Sequence, residues 1–170
     1  MFCLAVILTL AGWAQAPSLA VNPPPEWISV PVSSPMRLAQ FTLPKTAGDA
    51  EDADLTIFYF GGAGGTVEAN LERWTNQMLQ PDGRRSAAVA TTTAFMAGEL
   101  LVTLLDLPGI YAAEVRPGSG VRYHKPDFRL KAAVLETPAG PVFFKLTGPA
   151  RTVETWDEAF VALLQSARFE

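Results

Sequence analysis

The spacing of apolar and polar residues predicts the elements of this chain one by one. Between Met36 and Leu43, the residues Met36, Leu38 and Gln40 alternate with Arg37, Ala39, Phe41 and Leu43. A period of two with one strongly apolar side predicts a strand. Pro44 ends it, and Lys45 to Asp54 reads as a polar turn. Leu55 to Phe60 is almost continuously apolar, as a strand covered on both faces is. These two runs are expected to form a hairpin, preceded by a short strand over Trp27 to Val30.

The period then changes. Val67, Leu71, Trp74 and Met78 recur at i, i+4, i+7 and i+11, which predicts a helix over Thr66 to Leu79. Thr66 can cap it, and Glu68 adds a negative charge where the helix dipole favours one. Pro81 and Gly83 end it. Val89 to Phe95 and Glu99 to Leu107 are β-rich runs around Ala97-Gly98, and Ile110 to Val115 extends or restarts the second. Phe128 to Thr137 and Pro141 to Thr147 flank Pro138-Ala139-Gly140, a hairpin-turn composition. Val153, Trp156, Phe160 and Leu163 or Leu164 predict a closing helix over Thr152 to Arg168. Strands, helix, strands, helix is the order of an α+β fold, a mostly antiparallel sheet with helices packed on it.

The N-terminus adds a localisation. Phe2 to Leu10 is apolar apart from Thr9, and no charged residue precedes Glu26. That is the length of a signal-peptide h-region, although no Lys or Arg stands before it. Ala14-Gln15-Ala16 and Ser18-Leu19-Ala20 both fit a small-x-small cleavage site, so the signal segment spans 1–20, with the cut after Ala16 or Ala20. An uncleaved anchor is the alternative, since a bilayer span needs about 20 apolar residues. Pro17, Asn22 and Pro23-Pro24-Pro25 weigh against it. Residues 21–26 read as a stiff linker, and 27–170 as one domain.

Composition narrows the function. At 170 residues, 49% hydrophobic and 18% charged, the chain can bury a sizeable core. A net charge of −4 argues against a generic nucleic-acid binder, and contact with the membrane is left to the signal segment. The one cysteine, Cys3, lies inside that segment, so no disulfide and no cysteine-bound metal is expected in a mature chain.

The candidate chemistry begins at Gly61-Gly62-Ala63-Gly64-Gly65. A glycine loop between a strand and a helix can cradle an anion. This one lacks the Lys-Ser/Thr of a nucleotide loop, and Val67 stands where the dinucleotide fingerprint needs its third glycine. A tight turn with positive φ angles is the simpler reading. At roughly 100° per residue, Asn70, Arg73 and Gln77 form a polar stripe beside the apolar one. It either locks the helix to the sheet or lines a groove. Lys145 alternates with Phe144 and Leu146, on a solvated face or partly buried. The acidic run Asp49, Glu51, Asp52 and Asp54 lacks an EF-hand glycine and reads as a charged hairpin tip. His124 and Ser119 have no acid placed to complete a triad.

The series Met36-Arg37, Phe60-Gly61, Gly64-Gly65, Asn70, Arg73-Trp74, Gln77, Phe144-Lys145-Leu146 and Gly148-Pro149 resembles a family of exported bacterial proteins of unknown function. The element order is similar to the PsbP-like fold. That fold is shared by the extrinsic photosystem II protein and a nuclear transport factor that binds a small GTPase. The resemblance implies a binding module rather than an enzyme, and carries over neither photosystem nor GTPase binding. The expectation is therefore a periplasmic or secreted, non-catalytic binding or accessory module with no cofactor. Its surface would comprise Asn70, Arg73, Gln77, Lys145, Gly64 and Gly65, and it would bind an anionic small ligand or a protein partner. A structural subunit of an envelope assembly and a hydrolase using His124 or carboxylates are the alternatives.

Overall fold

A computed structural model describes residues 19–32 and 34–169. The apolar run at the N-terminus, Cys3 and the Ala16 cleavage point lie outside the described residues.

The strands are β1 (Leu19–Ala20), β2 (Ile28–Ser29), β3 (Arg37–Leu43), β4 (Ala53–Tyr59), β5 (Met78–Leu79), β6 (Thr91–Ala97), β7 (Leu100–Tyr111), β8 (Lys125–Thr137), β9 (Gly140–Pro149) and β10 (Arg168–Phe169). The helices are α1 (Val67–Thr75), α2 (Ala150–Thr155) and α3 (Asp157–Ser166). One sheet runs β2-β3-β4-β9-β8-β7, with both β5 and β6 pairing the outer side of β7. Every pairing is antiparallel. β1 and β10 form a separate two-stranded ribbon.

Alternation along the central strands supplies a core on each face. On one side Leu55, Ile57, Ala133, Leu135, Phe144 and Leu146 pack with Val153, Phe160, Leu163 and Leu164 of α2 and α3. On the other, Leu105, Leu107, Leu130, Ala132, Val134 and Phe143 pack with Trp74 of α1 and with Met78. The sheet is thus sandwiched by helices, and Lys145 takes its face from its neighbour Phe143, under α1. On the opposite face the Lys131 side chain, 4% exposed, pairs with Asp157 of α3 and Asp106 of β7. Arg129 forks onto the same Asp106 at 2.7 and 2.6 Å.

Two predicted helices are shorter than their apolar stripes. The first ends at Thr75, and Met78 leaves it to pair with Tyr111. The Gln77 carbonyl accepts from the Ala112 N–H at 2.8 Å, so the edge of β7 competes for this backbone and wins it from the helix. The closing helix breaks at Trp156, whose indole N–H donates to the Pro44 carbonyl at 2.8 Å. Its last predicted residue, Arg168, belongs to β10.

Each carboxylate of the acidic run has a partner. Asp49 accepts from the Thr152 N–H and hydroxyl, Glu51 from Lys125, Asp52 from the Lys45 N–H, and Asp54 from Gln40 and Thr56. The run pins the β3–β4 turn to α2 and β8.

Candidate functional site

The glycine loop is a turn that fastens α1 to the sheet. Gly61, Gly62, Gly64 and Gly65 all have positive φ. Gly64 is also a point of close approach, where a Cβ would lie 2.7 Å from the Phe143 ring. Thr66 caps α1 by accepting from the Ala69 N–H. Asn70 closes the loop from the helix side: its amide donates to the Gly64 and Thr66 carbonyls, both at 2.8 Å. Its oxygen accepts from Arg73. At 1% exposure Asn70 is sealed beneath the loop, not on the helix flank where the stripe geometry put it.

One turn further on, α1 opens onto a groove of about 910 Å³. Arg73 of α1 and Gln77, just past its end, form one wall, with Glu72 and Asn76 beside them in the lining. Lys145 and Tyr111 form the floor, and Arg37, Glu114 and Arg122 complete the lining. Three of the six predicted residues, Arg73, Gln77 and Lys145, thus meet in one cavity, while Asn70, Gly64 and Gly65 stand behind its wall.

Lys145 is the centre. From mid-strand on β9, its ammonium donates to Gln77 Oε1 at 2.6 Å and to the Tyr111 hydroxyl at 3.2 Å. It also lies 5.3 Å from the centre of the Tyr111 ring. Burial lowers its pKa to about 8, and the positive charge of Arg73 pushes the same way, against a weaker pull from Asp54. Burial likewise lifts the Tyr111 hydroxyl to about 12, so it stays protonated.

Among the described residues, none of Arg37, Arg73, Arg122 and Lys145 lies within 4.0 Å of a carboxylate oxygen. Their contacts are neutral. Arg37 donates to Gln40 at 2.8 Å, Arg73 to Asn70, and Arg122 to the Ala112 carbonyl at 3.2 Å. Of the carboxylates in the lining, Glu114 is engaged by the Gly118 N–H at 2.7 Å. The cations therefore face the cavity with their charge uncompensated by protein at contact distance.

Sequence reasoning passed over Tyr111 and Arg122. Tyr111 sits in an apolar run and Arg122 in a loop, and neither belongs to a local pattern. Tyr111 lies on the same face of β7 as Leu105 and Leu107, the face under α1, where its hydroxyl meets Lys145. Met36-Arg37 belonged to the resembling series, which was the available signal for Arg37.

His124 and Ser119 do not join the groove. Both are exposed, and the Ser119 hydroxyl donates to the Val121 carbonyl at 3.3 Å.

No protein-family model and no curated protein sequence matches the chain. Solved structures do. The solution structure of cyanobacterial PsbP (CyanoP) from Synechocystis sp. PCC 6803 superposes with a TM-score of 0.51 at 14% identity, covering 97% of this chain and 98% of that one. The crystal structure of LpqN, involved in cell envelope biogenesis of Mycobacterium tuberculosis, gives a TM-score of 0.51 at 14% identity. It covers 94% of this chain and 87% of that one. The fold is PsbP-like.

Proposed function

We propose that the chain is an extracytoplasmic, non-catalytic binding or accessory module whose groove between α1 and the sheet takes an anionic ligand. One observation carries this reading: four cations converge on one cavity and, among the described residues, none has a carboxylate partner at contact distance. A half-buried ammonium is costly to hold without an opposite charge. An anion entering the groove would supply that charge through charge-assisted hydrogen bonds. The apolar N-terminal run supports export, and the likeness in fold to a protein of envelope biogenesis is compatible with it. The test is calorimetric titration of the chain with sulfate, beside Arg73→Ala. Saturable binding weakened about tenfold or more in the variant supports the reading. Absence of binding in the wild-type chain ends it.

A second reading, a subunit of an assembly, is favoured by the edge of the sheet. Among the described residues β6 pairs with β7 alone, carries no charged residue over Thr91–Ala97 and leaves Met96 exposed. Uncharged edge strands are open to pairing with another chain. Light scattering across a concentration series tests it, and a monomer throughout counts against it.

A further inference from the structure

The cationic groove has an annex. A recess of about 220 Å³ adjoins it and shares Arg73, Gln77 and Lys145 with its lining. The rest of the recess is aromatic: Phe58, Phe60, Trp74 and Phe143. Phe58 and Phe60 stack with ring centres 6.0 Å apart and planes within 6°. Phe143 meets Phe60 at a tilt and Trp74 edge-on, at 5.6 and 6.2 Å. Trp74 and Phe143 are buried, but Phe58 and Phe60 keep part of their surface in contact with water. The cations flank this wall, with Arg37 5.7 Å from the centre of the Phe58 ring and Arg73 6.0 Å from that of Trp74.

Resting on the anion-binding reading above, we propose that the ligand is an amphipathic anion: an acidic head held by Arg73 and Lys145, joined directly to one flat apolar group the size of a phenyl ring seated in the recess. Three features fix this class. The shared residues put the charge anchor at the mouth of the recess, so head and apolar group must be adjacent in the ligand. The volume admits one ring, since an enclosed apolar cavity of about 150 Å³ accepts benzene. The wall sets the shape, since aromatic side chains favour stacked or edge-on contacts with another flat ring. A simple inorganic anion would leave the half-exposed rings of Phe58 and Phe60 wet. An uncharged arene would leave Lys145 without a counter-charge at contact distance.

The experiment compares inorganic phosphate, phenyl phosphate and hexyl phosphate by calorimetry on the chain from Pro17 onward. Phenyl phosphate is expected to bind at least about tenfold more tightly than inorganic phosphate, the gain from burying one ring. Hexyl phosphate should fall between them. Phe58→Leu should remove most of the phenyl gain over inorganic phosphate, while Arg73→Ala should weaken all three. Melting curves of both variants confirm that they fold, and Phe60→Leu replaces Phe58→Leu if that variant does not. Equal affinity for phosphate and phenyl phosphate, or a phenyl gain that survives in the Phe58 and Phe60 variants, overturns the amphipathic ligand alone. Hexyl phosphate binding more tightly than phenyl phosphate replaces the ring with an alkyl chain and overturns it too. If none of the three binds, the anion-binding reading falls and this inference falls with it.

Discussion

The Lys145 ammonium and the Gln77 amide oxygen lie 2.6 Å apart, although 68 residues separate them in the chain. One comes from the middle of a central strand, the other from the connection between α1 and β5. Their contact ties the floor of the groove to its wall, and it holds the ammonium under α1. The charge of Lys145 is therefore sensitive to whatever enters the cavity.

That placement sets a pH dependence. The Lys145 pKa lies near 8 when folded and near 10.5 in its ordinary range. Between these values the unfolded chain binds more protons than the folded one, so stability rises with pH across that window. Below pH 8 both states are protonated, and the cost of the buried charge is fully present. Lys145→Met should therefore gain most in melting temperature near pH 7, and the gain should shrink as pH approaches 10. A gap independent of pH would show that Lys145 titrates normally. Sulfate, whose own charge is constant here, should bind more weakly as pH rises through 8, and Lys145→Arg should flatten that profile.

Asn70 is expected to be structural and Arg73 to serve binding. Asn70→Ala leaves loop carbonyls without their buried donor, a loss of about 1–3 kcal/mol. Arg73→Ala leaves only the Asn70 side-chain oxygen without its donor, beside a groove from which water can replace it, and should cost less than Asn70→Ala. Urea denaturation of both variants checks the contrast, and equal losses would move Arg73 into the structural set.

Gly64→Ala combines a φ of +124° with a Cβ placed 2.7 Å from the Phe143 ring. The ring belongs to the core under α1 and has little room to retreat. A loss of about 2 kcal/mol or more is expected in chemical denaturation, from strain and overpacking together. Tolerance of alanine there would mean that the loop does not fasten α1 as described.

Asp106 joins Arg129 and Lys131 on the other face. Burial raises its pKa, but the hydrogen bond from Arg129 and the charges of Lys131 and Arg129 outweigh that and hold it below the ordinary value. The stability it contributes is present above the unfolded pKa and is lost as pH falls through the folded one. Asp106→Asn should cost about 1–3 kcal/mol near neutrality, since it removes the charge that Arg129 forks onto and the more distant of the two partners of Lys131. The difference from wild type should narrow in acid, and a constant difference would argue against the ion-pair account.

The ribbon of β1 and β10 distinguishes the two cleavage points. Leu19 pairs with Phe169, and both pack against the core beneath α3. A chain beginning at Val21 loses that strand, while one beginning at Pro17 keeps it. The shorter chain should melt about 2–4 °C lower, the shift that a loss near 1 kcal/mol produces at this size. Identical melting temperatures would show that the ribbon adds nothing.

The sequence by itself determined what depends on near neighbours. Period two along Met36–Leu43 sufficed for that strand, because side chains alternate strictly across a sheet, and the turn composition of Pro138-Ala139-Gly140 sufficed for the hairpin of β8 and β9. The glycines sufficed for the turn, because positive φ excludes most other residues. The sequence also separated Lys145 from Phe144, as alternation must. Tertiary structure decided depth. Asn70, Arg73 and Gln77 share a helical stripe, but one is sealed under a loop while the others face a cavity. A helical period gives direction around an axis, not what lies beyond it. Met78 continued an apolar stripe, yet the open edge of β7 claimed its backbone. Lys145 became the centre of a site because α1 covers its face and β7 presents Tyr111 on that same face. Those are consequences of pairing between distant strands, and no local pattern encodes them.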